Sequence, residues 1–242
     1  MPFTFSHPAV VLPLNRLSKR WISLTALVIG SLTPDFEYFI RMKVYSTYSH
    51  NWTGLFWFDL PLGLLLLMIY NYLVKNKLIG HLPVYFNKRF SQFKNSGRQY
   101  FGHNFLIILL CLLIGAASHI FWDSFTHPTG YFVVHHHFLS HKIIIQHFTI
   151  PVYNILQHLS TLMGIIIILY AINQLQPGET TKVKQIAPYW IKVVVISALI
   201  LLIRMLSGLK LHDYGDVIMS GISGLLIGLI IVSVITPDKQ SA

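Results

Sequence analysis

Five stretches of the chain are apolar over bilayer-crossing lengths, at about 54–74, 103–123, 152–175, 188–209 and 214–235. A membrane helix needs roughly 17 to 25 such residues, and in hydrocarbon every backbone N–H and C=O must find its partner inside the helix. The pattern predicts an all-α, polytopic membrane helical bundle, read as a single integral membrane domain over residues 1–242. A sixth apolar piece, Trp21 to Thr33, is shorter and is stopped by Pro34 and the acidic pair Asp35 and Glu37. It half-crosses, or crosses with Phe36, Tyr38, Phe39 and Ile40 added. With the apolar piece Ala9 to Leu14 it gives residues 8–33 the makings of a re-entrant helical hairpin turning at Arg16 to Arg20. Five to six spans plus that hairpin is the expected architecture. The start of the chain lacks a charged leader and a small-residue cleavage site, so no removed signal peptide is expected.

Composition agrees with the pattern. The chain is 54% hydrophobic and 11% charged, with mean hydropathy +0.59, whereas soluble domains carry about 25% charged residues. The net charge of +10 could suggest nucleic acid, but no binding motif accompanies it. Its placement is more informative. Arg16, Lys19 and Arg20 form one cluster; Lys75, Lys77, Lys88, Arg89, Lys94 and Arg98 fill a connection without a single acid; Lys182 and Lys184 sit in a third. This alternation is the bias expected of cytoplasmic loops. It puts Asp35, Glu37, Asp59, Asp123, Asp213 and Asp216 at the opposite, outer face, with His50, His119, His127, His135, His136, His137, His141, His147 and His212. Glu179, Asp238, His81 and His103 fall on the cytoplasmic side.

Insertion rules explain the missing cations at the outer face, but not why histidine and aspartate replace them. A metal site explains both, because imidazole and carboxylate are first-row metal ligands and a bound cation offsets the cost of acids near hydrocarbon. Residues 115–141 hold six of the thirteen histidines and begin inside an apolar run. His119 and Asp123, spaced i,i+4, share one helix face, beside Gly115, Ala116, Ala117 and Ser118, small enough for a neighbouring helix to approach closely. Alone, HxxxD reads first as a hydrogen-bonded pair. With His7, Asp35 and His50 assembled around it, metal is favoured. His127 continues the stripe only if the helix persists, and Pro128 predicts that it ends nearby.

Other polar positions carry blander readings. Adjacent His135, His136 and His137 cannot all point one way, so at most two join a site, and a loop or pH-responsive surface competes with ligation. His212, Asp213 and Asp216 lean towards solvating a turn. His158 is read as a helix-packing group, Arg204 as snorkelling to the interface, and Gly221, Gly224 and Gly228 with Ser220 and Ser223 as a helix-contact face. A lone mid-span Cys111 excludes disulfides and cysteine-rich zinc motifs.

Several segments, MPFTFSHPAVVLPL, LVIGSLTPDFEYF, YSHNWTGLFWFDLPLG, GAASHIFWDSFTHPTGYFV and PVYNILQHLSTLMG, in order from residue 1 to about 175, resemble the bacterial membrane family catalogued as domain of unknown function 4184. More distantly, the chain resembles inner-membrane proteins described as metal-dependent hydrolases and the zinc-dependent phospholipase C group. The ligands of that group run His, Asp, His, HxxxD, then further His, an order met here by His7, Asp35, His50, His119 with Asp123, and His127 or one of His135 to His141. Its closing HxxxE has no counterpart, since no glutamate lies between Glu37 and Glu179. The resemblance implies a multi-pass protein of the bacterial inner membrane and a metal-dependent hydrolase with a divalent ion, zinc favoured, at the outer face. Metal ligands would be His7, Asp35, His50, His119, Asp123 and His127, with Glu37 or Asp123 as general base and a lipid-like phosphoester as substrate. Membrane lipid is the expected partner and nucleic acid is not; a homo-oligomer is left open. Two rivals stand beside it. One is a transporter or ion-handling protein, the other a non-catalytic membrane protein with a structural metal site.

Overall fold

The computed structural model describes residues 3–17, 21–94, 105–145, 148–179 and 185–237. Lys19, Arg20, Arg98, His103, His147, Lys182, Lys184 and Asp238, all part of the charge pattern, lie outside them. The protein is an all-α helical bundle, and among the described residues five helices are long and apolar enough to cross a membrane: Leu55–Gly80, Phe105–His135, Val152–Gln174, Ile186–Leu206 and Tyr214–Ile235. Leucine, isoleucine and phenylalanine cover much of their outer surfaces, as suits a hydrocarbon solvent.

By contacts, the chain forms two compact units. The first comprises Met1–Asp35, Tyr48–Leu64 and Phe105–Gln174; the second Phe36–Thr47, Leu65–Asn104 and Leu175–Ala242. In the first unit, short helix α1 (Pro8–Val11) is flanked by 3-10 turns at Thr4–Ser6 and Leu12–Arg16. The chain returns as α2 (Leu24–Leu32), whose N-cap Ser23 accepts from the Ala26 N–H. The two arms pack together as the expected helical hairpin. Helix α2 ends at Leu32, just before Pro34, as the sequence predicts. A 3-10 turn at Thr33–Asp35 absorbs it, and α3 (Phe36–Arg41) comes next; a proline lacks only its own N–H and is tolerated in a first helical turn.

The main packing of the first unit sets α2 against the long helix α6 (Phe105–Thr126). They meet through glycines. A Cβ on Gly30 would lie 2.3 Å from the Leu112 carbonyl oxygen, and one on Gly115 would lie 2.4 Å from the Leu27 carbonyl oxygen. Ala26, Leu27, Ile108 and Leu112 are buried alongside, and Leu55, Ala116 and Ile120 form a further cluster. Helix α6 stops just before Pro128, as expected, and is succeeded by a short helix α7 (Tyr131–His135). A second short helix, α8 (His137–Ser140), leads into an antiparallel hairpin of β1 (Lys142–Ile145) and β2 (Phe148–Pro151). The hairpin was not expected from the sequence, although the β-branched run Ile143 to Ile145 carries its signal. Beyond it runs helix α9 (Val152–Gln174), and His158 is exposed on it, not packed against another helix as expected.

In the second unit the span that began at Leu55 continues to Gly80 as α4, six residues beyond the predicted end, because no Gly or Pro interrupts the last turns. It contains π-turns at Leu55–Asp59 and Tyr70–Val74. Helix α5 (Val84–Phe90) is locked to its end by the Asn87 side-chain amide, which donates to the Ile79 carbonyl oxygen at 2.7 Å. Helices α10 (Ile186–Leu206) and α11 (Tyr214–Ile235) pack around Tyr189, Val193 and Val232. Gly224 and Gly228 lie close against the backbone of Ser197 and Val193, which gives the small-residue face its partner.

Candidate metal centre

Four side chains from three separate stretches converge in the first unit. Asp35 ends the 3-10 turn after α2; His119 and Asp123 lie one turn apart on α6; His50 comes from the connection before the first span. One ligand atom from each lies within 4.8 Å of every other. His50 Nε2 and His119 Nε2 are 3.2 and 3.4 Å from Asp35 Oδ1, and 3.7 and 3.5 Å from Asp123 Oδ2. Ligands bonded to one tetrahedral ion at roughly 2.0–2.2 Å stand about 3.3–3.6 Å apart, so four of the six edges already have close to the required length.

The atoms concerned are also short of other partners. His119 Nε2 and both oxygens of Asp123 are buried without a hydrogen-bond partner. An unsatisfied buried polar atom costs about 1–3 kcal/mol, more if charged, and three together need a common explanation. A cation supplies one. The donor set, two imidazoles and two carboxylates, is of the type zinc and neighbouring first-row metals take.

Surrounding groups fix the orientation of these ligands. His119 Nδ1–H donates to the Ser31 carbonyl oxygen at 2.8 Å, which can only accept, so in the neutral ring Nε2 presents its lone pair to the cluster. Thr4 Oγ1 donates to Asp35 Oδ2, leaving Oδ1 for the centre. His50 Nδ1 pairs with Ser49 Oγ at 2.8 Å. In the ion-free form, burial works to raise the Asp35 carboxyl, but the positive charge of protonated His119 and the hydrogen bonds from His119 and His50 outweigh it. The group is held below the usual carboxylate range and stays ionised.

His7 stands beside the four. Its ring stacks on His119 with centroids 3.7 Å apart, and its Nε2 is 3.5 Å from Asp123 Oδ1. Both ring nitrogens are buried without a hydrogen-bond partner. Burial, and then the neighbouring His119, lower this imidazole to about 3, so a neutral ring lies against His119.

The other expected residues fall elsewhere. His127 is half-buried, pairs through Nδ1 with Thr129 Oγ1 at 2.8 Å, and is not among the four. Glu37 belongs to the second unit, where its Oε1 accepts from Arg41 Nε and Nη2 and from the Thr47 N–H. His135, His136, His137 and His141 are exposed. His212 and Asp213 form an exposed pair 3.6 Å apart, and Asp216 Oδ1 accepts from the Val44 N–H, a turn-fastening role. Thr4, Ser31 and Ser49 were missed. A backbone carbonyl and two hydroxyls leave no mark in a sequence until the fold has chosen them.

The family model described as a domain of unknown function, DUF4184, matches residues 1–234. The chain belongs to that family. No curated protein and no solved structure matches this DUF4184 chain. In this DUF4184 chain Asp35, His50, His119 and Asp123 could hold a metal ion.

Proposed function

We propose that this DUF4184 protein is a metal-dependent hydrolase of the bacterial inner membrane, with a zinc centre at the outer face and a lipid-like phosphoester as substrate. The observation that carries the reading is the quartet of ligand atoms close to tetrahedral spacing, with His119 Nε2 and the Asp123 carboxylate buried and without a hydrogen-bond partner. The distribution of basic loops supports the outer face, and the distant resemblance to zinc-dependent phospholipases supports the substrate class. When bound, the ion supplies Lewis acidity towards a phosphoryl or acyl oxygen and makes hydroxide available near neutral pH.

The chain's own contributions rest on the geometry. Asp35 and His119, fully buried and tied to Thr4 and Ser31, form the fixed floor. His50 is the most accessible of the four, its side chain 16% exposed, so a substrate reaches the centre past it. Asp123 turns Oδ2 to the cluster and Oδ1 to His7. That second oxygen is the acceptor available for a proton from an attacking water, a base role for Asp123 and not for Glu37, which is held by Arg41.

A second reading, a structural metal centre, is favoured by one observation: four protein ligands can close a tetrahedron, whereas catalytic zinc sites keep a position open. Metal analysis of the purified protein, joined to hydrolysis of a fluorogenic phosphodiester lipid, separates the two. The proposal expects one zinc per chain and turnover that are both lost in His119→Ala with Asp123→Ala. Zinc without turnover supports the structural centre. Equal metal content in wild type and double variant would sink the site itself. Uptake of a divalent ion into proteoliposomes, without hydrolysis, decides for a transporter.

A further inference from the structure

The second unit holds a buried charge of the opposite sign. Lys75 comes directly after the π-turn Tyr70–Val74 and donates its backbone N–H to the Tyr70 carbonyl oxygen. A π-turn adds one residue to the helical repeat and re-aims the side chains beyond it, and such turns are frequent at functional sites. Here the re-aimed side chain is drawn inward. Lys75 is only 3% exposed, although lysines near the ends of spans ordinarily extend their ammonium to the interface.

The ammonium donates a hydrogen bond from Nζ to Asn71 Oδ1 at 2.9 Å, and no carboxylate stands within ion-pair distance among the described residues. None is close in sequence either, since no acid occurs between Asp59 and Asp123. The described acids of this unit are otherwise engaged or exposed. Glu37 holds Arg41, Asp213 faces His212, Asp216 accepts from Val44, and Glu179 is exposed. Buried charges are normally paired, because desolvating a lone ion is strongly unfavourable. A neutral amide oxygen does not supply that pairing. The nearby segments add only positive charge: Lys77 on α4, Lys88 and Arg89 in the last turn of α5, and Lys94 beyond it. Arg89 lies over the exposed ring of Tyr85, with Cζ 3.9 Å from its centroid, an arrangement suited to a membrane interface.

We propose that this end of α4, with α5, is a phosphate-binding site in which Lys75 is the buried anchor and the basic residues of α4 and α5 draw the anion in. The ligand is a phosphate group, either the headgroup of an anionic lipid or free phosphate. Basic pockets between membrane helices commonly take such headgroups.

The test uses the full-length protein in nanodiscs, with thermal unfolding as readout. In phosphatidylglycerol, wild type is expected to unfold about 2–4 °C higher than in phosphatidylcholine, the shift that a ligand at a few times its Kd gives a chain of this size. If inorganic phosphate added to phosphatidylcholine discs gives the rise and phosphatidylglycerol does not, the source is free phosphate. Two variants must abolish the response in either case. Lys75→Met removes the charge at similar volume, and Asn71→Asp supplies an internal counter-charge next to the ammonium while keeping it. Absence of any shift in wild type with both probes overturns the proposal. So does an undiminished shift in Asn71→Asp, which remains informative even if Lys75→Met fails to fold.

Discussion

Gly115→Ala changes no ligand and yet should empty the metal centre. The added Cβ would lie 2.4 Å from the Leu27 carbonyl oxygen and 2.6 Å from the Ser31 nitrogen, both backbone atoms of the facing helix. Favourable heavy-atom contact begins at roughly 3.5 Å, so α2 and α6 must part by about 1 Å. His119 and Asp35 are carried by opposite sides of that contact. Their 3.4 Å separation would grow to roughly 4.4 Å, beyond the 4.2 Å or so that one ion with bonds of about 2.1 Å can bridge. The 2.8 Å bond from His119 Nδ1–H to the Ser31 carbonyl would stretch past hydrogen-bond range at the same time. Overpacking of this kind costs about 1–3 kcal/mol of stability, and loss of an outer-shell partner alone weakens metal binding about 10- to 100-fold. Zinc affinity by competition with a chromophoric chelator, with circular dichroism to verify the helices, reads both effects. Gly221→Ala is the control, since a Cβ there meets nothing within 4 Å. A Gly115→Ala protein that folds and binds zinc as tightly as wild type refutes the link between this helix crossing and the centre.

The same geometry makes three further outcomes testable. Thr4→Val removes the hydroxyl that holds Asp35 Oδ2 and should weaken zinc binding about 10- to 100-fold, whereas Thr4→Ser should restore it; chelator competition distinguishes them. The lowered imidazole of His7 makes metal-free stability pH-dependent. Between about 6.5 and about 3 the unfolded chain binds a proton at this position that the folded chain does not, so stability falls with falling pH by about 1.4 kcal/mol per unit. His7→Asn should be less steep than wild type in that window, and identical slopes in thermal unfolding would count against a neutral buried ring. Glu37→Gln should loosen the Arg41 and Thr47 contacts while leaving zinc stoichiometry unchanged, as metal analysis can verify; a metal-free variant would contradict the assignment of Glu37 to a local structural role.

The boundary between what is legible in the chain and what is not has a physical origin. The spans are legible because hydrocarbon tolerates few patterns, and five predicted runs correspond to five helices, closely except where α4 extends to Gly80 and the second span takes in the helical turns up to His135. His119 with Asp123 is legible because i,i+4 spacing is local geometry, and Gly115 announces a close helix approach without naming Gly30 or Leu27 as its partners. Pro34 is legible as the stop of α2 at Leu32, but a proline forbids one N–H bond and not another helix on its far side. Glu37 is a natural base by residue type, but Arg41 sits one turn away and takes its carboxylate. Lys75 looks like an ordinary loop cation, and only the π-turn before it turns the side chain inward.

The connection before the first span supplies the one candidate ligand held by a strained backbone. His50 adopts a φ of +60°, a backbone state that β-carbons disfavour, and it is the quartet's sole contributor outside a helix or helical turn. Asp35, His119 and Asp123 come from helices and a helical turn, and His50 joins them from the loop, paired with Ser49 and Asp35. Were an ion bound, Asp35, His119 and Asp123 would hold it from helices and a helical turn, and His50 from a loop whose own backbone carries strain, so a substitution there tests conformation as well as chemistry.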